Sequence, residues 1–337
     1  MQQKHVKTSV ISLLLACSML FFASAAEISS LIPIGHTVGI QMSAEGVLVV
    51  RLDDVQTESG KVCPARDAGV QEGDLIVAVN GTEIDANDTL QKQIALSAGG
   101  PIELTLQNGD STRTVTVTPC TDAEGSYRIG VLARDGMAGI GTLTYVDPET
   151  GEYGSLGHGI CDSETGVLLP LADGSLIRSS VTSVQRGKAG EPGSLQGEFE
   201  ADNTVGTVEN NTQNGIFGKL TDTSVYDSLE AVPVATADEI QTGEAEILSN
   251  VEGDTVQRYS VQILKIYPED DEYGRGMMLR VTDEALLEQT GGIVQGMSGS
   301  PVLQNGKLIG AVTHVLVDDP TCGYAIGIER MLEQMEQ

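Results

Sequence analysis

Short stretches in which apolar and polar residues alternate recur along the chain, separated by glycine, proline, asparagine and aspartate. Residues 102–106 and 112–118 alternate in this way, and so does the run 302–314, which is interrupted at Asn305-Gly306. Alternation with a period of two is typical of strands with one buried face, and Asn-Gly is a strong hairpin signal. The pattern therefore predicts a mainly β protein.

Residues 31–118 combine these strands with two helical signals. The small-residue segment 64–70 precedes Gly73-Asp74, an apolar strand and the turn Asn80-Gly81. A second helix is predicted to start near residues 85–88 and to end at Gly99-Gly100-Pro101. This order of elements resembles a small α/β PDZ domain, a module that binds an extended peptide as an added strand.

The resemblance implies a loop that captures the carboxylate of the peptide. It places that loop at Thr37, Val38, Gly39 and Ile40, opposite the helix that starts near Asp85. A PDZ fold that serves only as an internal support is the alternative interpretation.

The composition limits the partners of this protein. The chain has 337 residues, which is enough for two domains, and only 4% of them are aromatic. Its formal net charge is −29, which repels nucleic acid and anionic lipid. We therefore expect neither nucleic acid nor an anionic membrane surface as a partner.

Residues 1–26 have the pattern of a signal peptide or an N-terminal anchor. Lys4 and Lys7 precede the mostly apolar run 10–22, and Ala23-Ser24-Ala25 fits a cleavage site. Cys17 also gives a loose match to a lipoprotein box. The segment predicts an exported protein. Its pattern is compatible with cleavage of the segment and with its retention as an anchor.

Four cysteines follow this segment, at positions 63, 120, 161 and 322, and none forms a Cys-x-x-Cys pair. We therefore expect no metal and no cofactor. One disulfide is compatible with export, but its pairing is not readable from the sequence.

The segment Gly296-Met297-Ser298-Gly299-Ser300-Pro301 is the strongest candidate for chemistry. Flanking glycines allow a tight turn that points the Gly296 and Ser298 amides at one spot, where they form an oxyanion hole. The segment resembles the nucleophile loop of chymotrypsin-like serine peptidases, with Met297 in place of the usual aspartate. The resemblance implies a double β-barrel in residues 137–337. Pro119, acidic residues and glycines without a clear period predict a linker at 119–136 before it.

His158 is the candidate general base. It lies between two glycines and precedes Ser298 in the chain, as in chymotrypsin-like enzymes. A structural histidine is the alternative. Thr313, His314 and Val315 occupy the strand that pairs with the substrate backbone in those peptidases, so we expect them to bind substrate.

Several motifs together resemble the stage IV sporulation protein B peptidase family, a PDZ domain followed by a serine peptidase domain. These motifs are residues 156–160, 192–197, 214–218, 291–301 and 313–315. The resemblance implies a catalytic triad of His158, Asp283 and Ser298. Asp283 has a second interpretation as the cap of a short helix, and Asp162 is a weaker rival for the acid.

The resemblance also implies a biological role. It predicts a secreted serine endopeptidase that the forespore exports into the space between the two spore membranes. There it would cut a membrane-associated regulator of an intramembrane protease, and itself, so that a late sigma factor is activated. The alternatives are a catalytically inactive PDZ scaffold and a quality-control protease of the periplasmic type.

Overall fold

The computed structural model describes residues 28–109, 111–267 and 275–335. The predicted export segment lies outside the described residues. The strands are β1 Ser30–Pro33, β2 Thr37–Leu52, β3 Val55–Thr57, β4 Gly60–Val62, β5 Leu75–Val79, β6 Thr82–Glu83, β7 Ile102–Asn108, β8 Ser111–Val117, β9 Cys120–Thr121, β10 Tyr127–Arg128, β11 Val131–Val146, β12 Glu152–Ser155, β13 Leu171–Gln185, β14 Ser194–Thr212, β15 Gly215–Leu220, β16 Val232–Pro233, β17 Gly243–Ser249, β18 Gln257–Ile266, β19 Met277–Val281, β20 Pro301–Gln304, β21 Lys307–Val315 and β22 Cys322–Gly327. The helices are α1 Pro64–Asp67, α2 Asn87–Leu96, α3 Glu284–Thr290 and α4 Ile328–Leu332, with 3₁₀ turns at Thr223–Val225 and Ala237–Glu239.

Six strands form the first barrel, in the order β2-β11-β12-β15-β14-β13. Each strand pairs antiparallel with the next, and β13 returns to β2 to close the ring. The alternation of apolar residues points Val38, Ile40, Leu143, Tyr153 and Leu176 into one buried core.

The second barrel is closed by β17, β18, β19, β22, β21 and β20. Its core contains Ile247, Val261, Leu279, Val302 and Ala325. The two barrels confirm the predicted double β-barrel, and closure removes the exposed strand edges that a flat sheet would leave.

The PDZ-like module lies between β2 and β11 in the chain. The end of β2 pairs with β5, which pairs with β7, and β7 pairs with β8. The Gly73-Asp74 motif has a structural role here, because the buried Asp74 carboxylate accepts hydrogen bonds from the Gln71 amide at 2.8 Å and from Arg113 Nη1 at 2.9 Å. Pairing a buried charge in this way is what makes its burial tolerable.

Strand pairing divides the chain differently from the predicted boundaries. The first half of β2 pairs with barrel strands β11 and β13, although the sequence placed it in the module that starts at residue 31. The predicted linker 119–136 contains the β9–β10 hairpin and the beginning of β11. The PDZ-like module is therefore an insertion in the first barrel.

Two further observations concern the described residues as a whole. No helix in these ranges has the length and apolar character needed to cross a bilayer. Cys63, Cys120, Cys161 and Cys322 are all free thiols.

Candidate active site

A cleft of about 660 Å³ lies between the two barrels. The first barrel contributes Ile140 and His158 to its walls, and the second contributes Ser298 and His314. The structure thus places His158 and Ser298, which are 140 positions apart in the sequence, in the same cleft. Thr313 and Val315, the other predicted substrate-binding residues, line the same cleft.

Glycine is required on the C-terminal side of Ser298. Gly299 has a φ of +95°, and a Cβ atom there would lie 1.9 Å from the Thr142 carbonyl oxygen. Gly296 also has a positive φ, +98°. Only glycine adopts these angles without strain, and the missing side chain lets the loop lie directly against β11.

Hydrogen bonds from β11 hold the nucleophile loop. Thr142 Oγ1 donates to the Gly296 carbonyl at 2.7 Å, and the Thr142 amide donates to the Ser298 carbonyl at 2.9 Å. Thr144 Oγ1 donates to the Gly299 carbonyl at 2.8 Å. Sequence reasoning missed both threonines; their one sequence signal is the alternation of threonine with apolar residues in Thr142-Leu143-Thr144-Tyr145.

The loop leaves two amides available. Within the described residues, the N–H groups of Gly296 and Ser298 have no protein acceptor, whereas the Gly299 amide donates to Val312 and the Ser300 amide to Met297. Free N–H groups at these two positions are what an oxyanion hole requires. The oxyanion hole at Gly296 and Ser298 stays a prediction.

The Ser298 hydroxyl donates to the Thr313 carbonyl at 2.7 Å. Since that carbonyl cannot accept a proton, the hydroxyl must turn toward an imidazole before Ser298 can attack a substrate. The imidazole rings of His158 and His314 line the same cleft, with their centroids 4.9 Å apart.

A strained turn presents His158. Leu156 has a φ of +68°, and the Gly157 amide donates to the Ser155 carbonyl at 2.8 Å, which closes a three-residue turn. Gly157 packs against β21, because a Cβ atom there would lie 2.9 Å from Thr313 Cγ2. The turn therefore holds the residue before His158 against β21.

The backbone sets the tautomer of His158. Its Nδ1 lies 2.9 Å from the Gly159 carbonyl oxygen, which can only accept a hydrogen bond, so Nδ1 carries the proton. Nε2 is then the basic nitrogen.

Burial also keeps both imidazoles neutral. It lowers the pKa of His158 below its usual value, against the opposing effect of the Gly159 carbonyl. Burial, together with the nearby His158, lowers the pKa of His314 to about 4. A neutral His158 at neutral pH is ready to accept a proton.

The two candidate acids make other contacts. Asp283 is the N-cap of α3: its Oδ1 accepts the Leu286 amide at 3.1 Å and its Oδ2 accepts the Ser260 amide at 3.4 Å. Asp283 is not among the residues that line the cleft. The buried Asp162 accepts the Thr165 and Glu164 amides and faces Arg134. The structure thus brings neither carboxylate to His158, and the Gly159 carbonyl occupies the nitrogen that a triad acid would contact.

The segment predicted to capture a peptide carboxylate is part of strand β2 in the wall of the first barrel. Val38 and Gly39 pair with β11 on one side and with β13 on the other, and Thr37 and Ile40 are buried beside them. With both strand edges occupied, these four residues cannot accept a peptide. The sequence analysis assigned these residues to the PDZ-like module because the module and the first barrel share strand β2.

Comparisons with known proteins agree with this architecture. The family model described as SpoIVB peptidase S55 matches residues 125–332, and the model of the Tricorn protease PDZ domain matches residues 39–122. A candidate zinc metalloprotease of Clostridium perfringens is 32% identical over 68 residues, which are 20% of this chain and 20% of that protein. The chain therefore spans about a fifth of the length of this curated relative.

Two solved structures are also similar to parts of the chain. The Rv3671c protease of M. tuberculosis in its active form is 16% identical with a TM-score of 0.34, covering 59% of this chain and 74% of that one. The PDZ domain of the SdrC-like protein of Listeria monocytogenes is 22% identical with a TM-score of 0.22, covering 26% and 87%. TM-scores this low carry no family assignment, which rests on the match of residues 125–332 to the family model.

Gly299→Ala tests the packing of the nucleophile loop. We expect its rate of labelling by a fluorophosphonate probe to fall by at least about 100-fold, because the added methyl group pushes the loop off β11 and misplaces the oxyanion amides. Gly306→Ala is the matched control, with a φ of +78° but open space around the added atom. Equal labelling of the two variants would contradict this account.

The pH dependence of labelling tests the role of His158. A base must be neutral to act, so the rate rises as the pH passes the pKa of His158. Since burial lowers that pKa, we expect the midpoint of the acidic limb below 6.5. A midpoint above 6.5 would show that another group controls the rate.

Asp283→Asn separates a helix cap from a triad acid. Asparagine caps a helix as well as aspartate, so we expect a labelling rate close to that of the wild type. The corresponding change in a Ser-His-Asp triad costs about 10⁴ in turnover. Asp283→Ala should lower the free energy of unfolding by about 1 kcal/mol, which urea denaturation measures.

Proposed function

Because the chain belongs to the SpoIVB peptidase S55 family of serine peptidases, we propose that it acts in sporulation signalling. Its substrate is a membrane-associated regulator of an intramembrane protease, and the chain also cleaves itself. Cleavage of the regulator leads to activation of a late sigma factor. The observation that carries the catalytic part of this proposal is Ser298, two unoccupied amides and a neutral imidazole in one cleft.

The geometry supports hydrolysis of a peptide bond through an acyl-enzyme. Ser298 Oγ turns from the Thr313 carbonyl and attacks the scissile carbonyl carbon, while its proton passes to His158 Nε2. The negative oxygen accepts hydrogen bonds from the Gly296 and Ser298 amides. His158 then gives the proton to the leaving amine. Water, activated by the same nitrogen, hydrolyses the acyl-enzyme and frees Ser298.

We further propose that the chain works outside the cytoplasm, in the space between the two spore membranes. The charged, apolar and small-residue pattern of residues 1–26 supports export. If this segment is retained, it keeps the peptidase close to its membrane-associated substrate.

The PDZ domain supports binding of a peptide ligand, and the peptidase domain requires a protein substrate. A quality-control protease would share both features. It differs in selectivity, because it digests unfolded proteins broadly, whereas a signalling peptidase cuts few targets.

N-terminal sequencing of purified wild type beside Ser298→Ala tests the proposal. We expect a shortened chain in the wild type and an intact one in the variant, because self-cleavage requires the nucleophile. Casein digestion is measured in parallel, and broad digestion would favour the quality-control role. Absence of fluorophosphonate labelling at Ser298 in folded protein would overturn the catalytic assignment and favour a PDZ scaffold.

A further inference from the structure

Two imidazoles meet in the cleft between the barrels. His158 follows β12 of the first barrel, and His314 belongs to β21 of the second. Their ring centroids lie 4.9 Å apart, and the ring planes are tilted by 36°. Hydrolysis needs one imidazole as its base, so the second one is available for another task.

The ring nitrogens of this pair are largely free. His158 Nδ1 faces the Gly159 carbonyl at 2.9 Å, which leaves Nε2 on the other side of the ring. Within the described part of the chain, His158 Nε2 and both nitrogens of His314 have no hydrogen-bond or ion-pair partner. A neutral imidazole has a lone pair on its unprotonated nitrogen, and this lone pair can bind a metal ion.

The separation of the rings suits one shared ion. Zinc binds imidazole nitrogen at about 2.0–2.1 Å with near-tetrahedral angles, which places the centres of two coordinated rings about 5 Å apart. His158 and His314 already have this spacing. A rotation of the rings about their side-chain bonds is therefore enough to direct two nitrogens at the same ion.

The charges around the cleft do not oppose a cation. Arg134 is the one charged side chain among the described residues that line it. Its Nε lies 3.2 Å from Asp162 Oδ2, and its Nη2 lies 3.6 Å from Glu164 Oε1. Two carboxylates thus offset the charge of Arg134, and the net charge of −29 attracts cations to the protein as a whole.

The number of ligands sets the strength of such a site. No group of three His, Cys, Asp or Glu side chains among the described residues is placed to hold a metal. An ion between the two imidazoles therefore has two protein ligands, and water completes its coordination. Structural zinc sites have four protein ligands, so binding here is weaker and reversible. Imidazole suits zinc, copper and nickel, whereas magnesium and calcium prefer oxygen.

We propose that His158 and His314 together bind a divalent ion of the zinc class, which reversibly inhibits the peptidase. The ion exchanges two of its waters for the two imidazole nitrogens. Once it occupies His158 Nε2, that nitrogen can no longer accept the proton of Ser298. This inference rests on the proposed peptidase function and adds a metal-ion inhibitor that binds at the same site.

Labelling of Ser298 by the fluorophosphonate in the presence of ZnCl2 tests the proposal. The protein is the full chain, purified without a histidine tag. At about 100 µM ZnCl2 we expect a labelling rate at least about tenfold lower than without metal, and full recovery after EDTA is added. MgCl2 at the same concentration should leave the rate unchanged. Equal rates with and without ZnCl2 would overturn the inference.

His314→Gln identifies the second ligand. Each rate with ZnCl2 is divided by the rate of the same variant without metal, so a change in basal activity cancels. We expect this variant to need at least about tenfold more ZnCl2 for half-inhibition, because one of two protein ligands is lost. His36→Gln is the matched control, since His36 lines a different groove. Equal sensitivity of the two variants would place the ion elsewhere and overturn the site.

Calorimetry separates the metal site from the peptidase. ZnCl2 is titrated into Ser298→Ala and into the double variant Ser298→Ala, His314→Gln. We expect the double variant to lose one binding event, and equal stoichiometries and affinities would overturn the site. If Ser298 is labelled but ZnCl2 has no effect, the metal site fails and the peptidase remains. If Ser298 is never labelled, the peptidase proposal fails, and calorimetry alone decides on the metal site.

Discussion

The hydrogen bonds between β11 and the nucleophile loop are the contact on which the site depends. Thr142 and Thr144 bind the carbonyls of Gly296, Ser298 and Gly299, so the loop turns its acceptors toward the first barrel. The amides of Gly296 and Ser298, two residues that line the cleft, are left without a protein acceptor among the described residues. Each such bond contributes only about 1 kcal/mol, but breaking one leaves a buried carbonyl without a donor, which costs more. The two barrels and the catalytic geometry are therefore held by the same contacts.

The way in which the PDZ-like module is attached follows from the same strands. β2 and β11 each contain 16 residues and extend from the first barrel into the module, with shifts in their pairing register near Ala133 and Gly136. An insertion carried by two continuous strands has a fixed relation to the barrel, unlike a domain on a flexible linker. The strand β11, which enters the PDZ-like module, is thus also the strand that holds the nucleophile loop.

His158 shows how a base can be oriented without a carboxylate. The Gly159 carbonyl fixes the proton on Nδ1, and burial favours the neutral imidazole. A buried carboxylate would stabilise the imidazolium more strongly, but it would also raise the pKa of the base. In this structure both oxygens of Asp283 bind backbone amides instead, which stabilises the start of α3.

The sequence by itself determined the family and the types of module, and it gave Ser298 and His158 as the candidate residues for chemistry. The signals are local patterns: Gly-x-Ser-Gly with a following hairpin, a histidine between glycines, and the Gly-Asp and Asn-Gly of a PDZ domain. They can be recognised in the sequence because each depends on backbone conformation within a few residues. The family and the double barrel followed from them. Only the tertiary structure decided which strands share an edge, because pairing joins residues far apart in the chain. It placed residues 37–40 in the wall of the first barrel and gave Thr142 and Thr144 their role, because both depend on contacts between strands far apart in the chain. It also decided between the two interpretations of Asp283 in favour of the helix cap, because its carboxylate accepts the Leu286 and Ser260 amides.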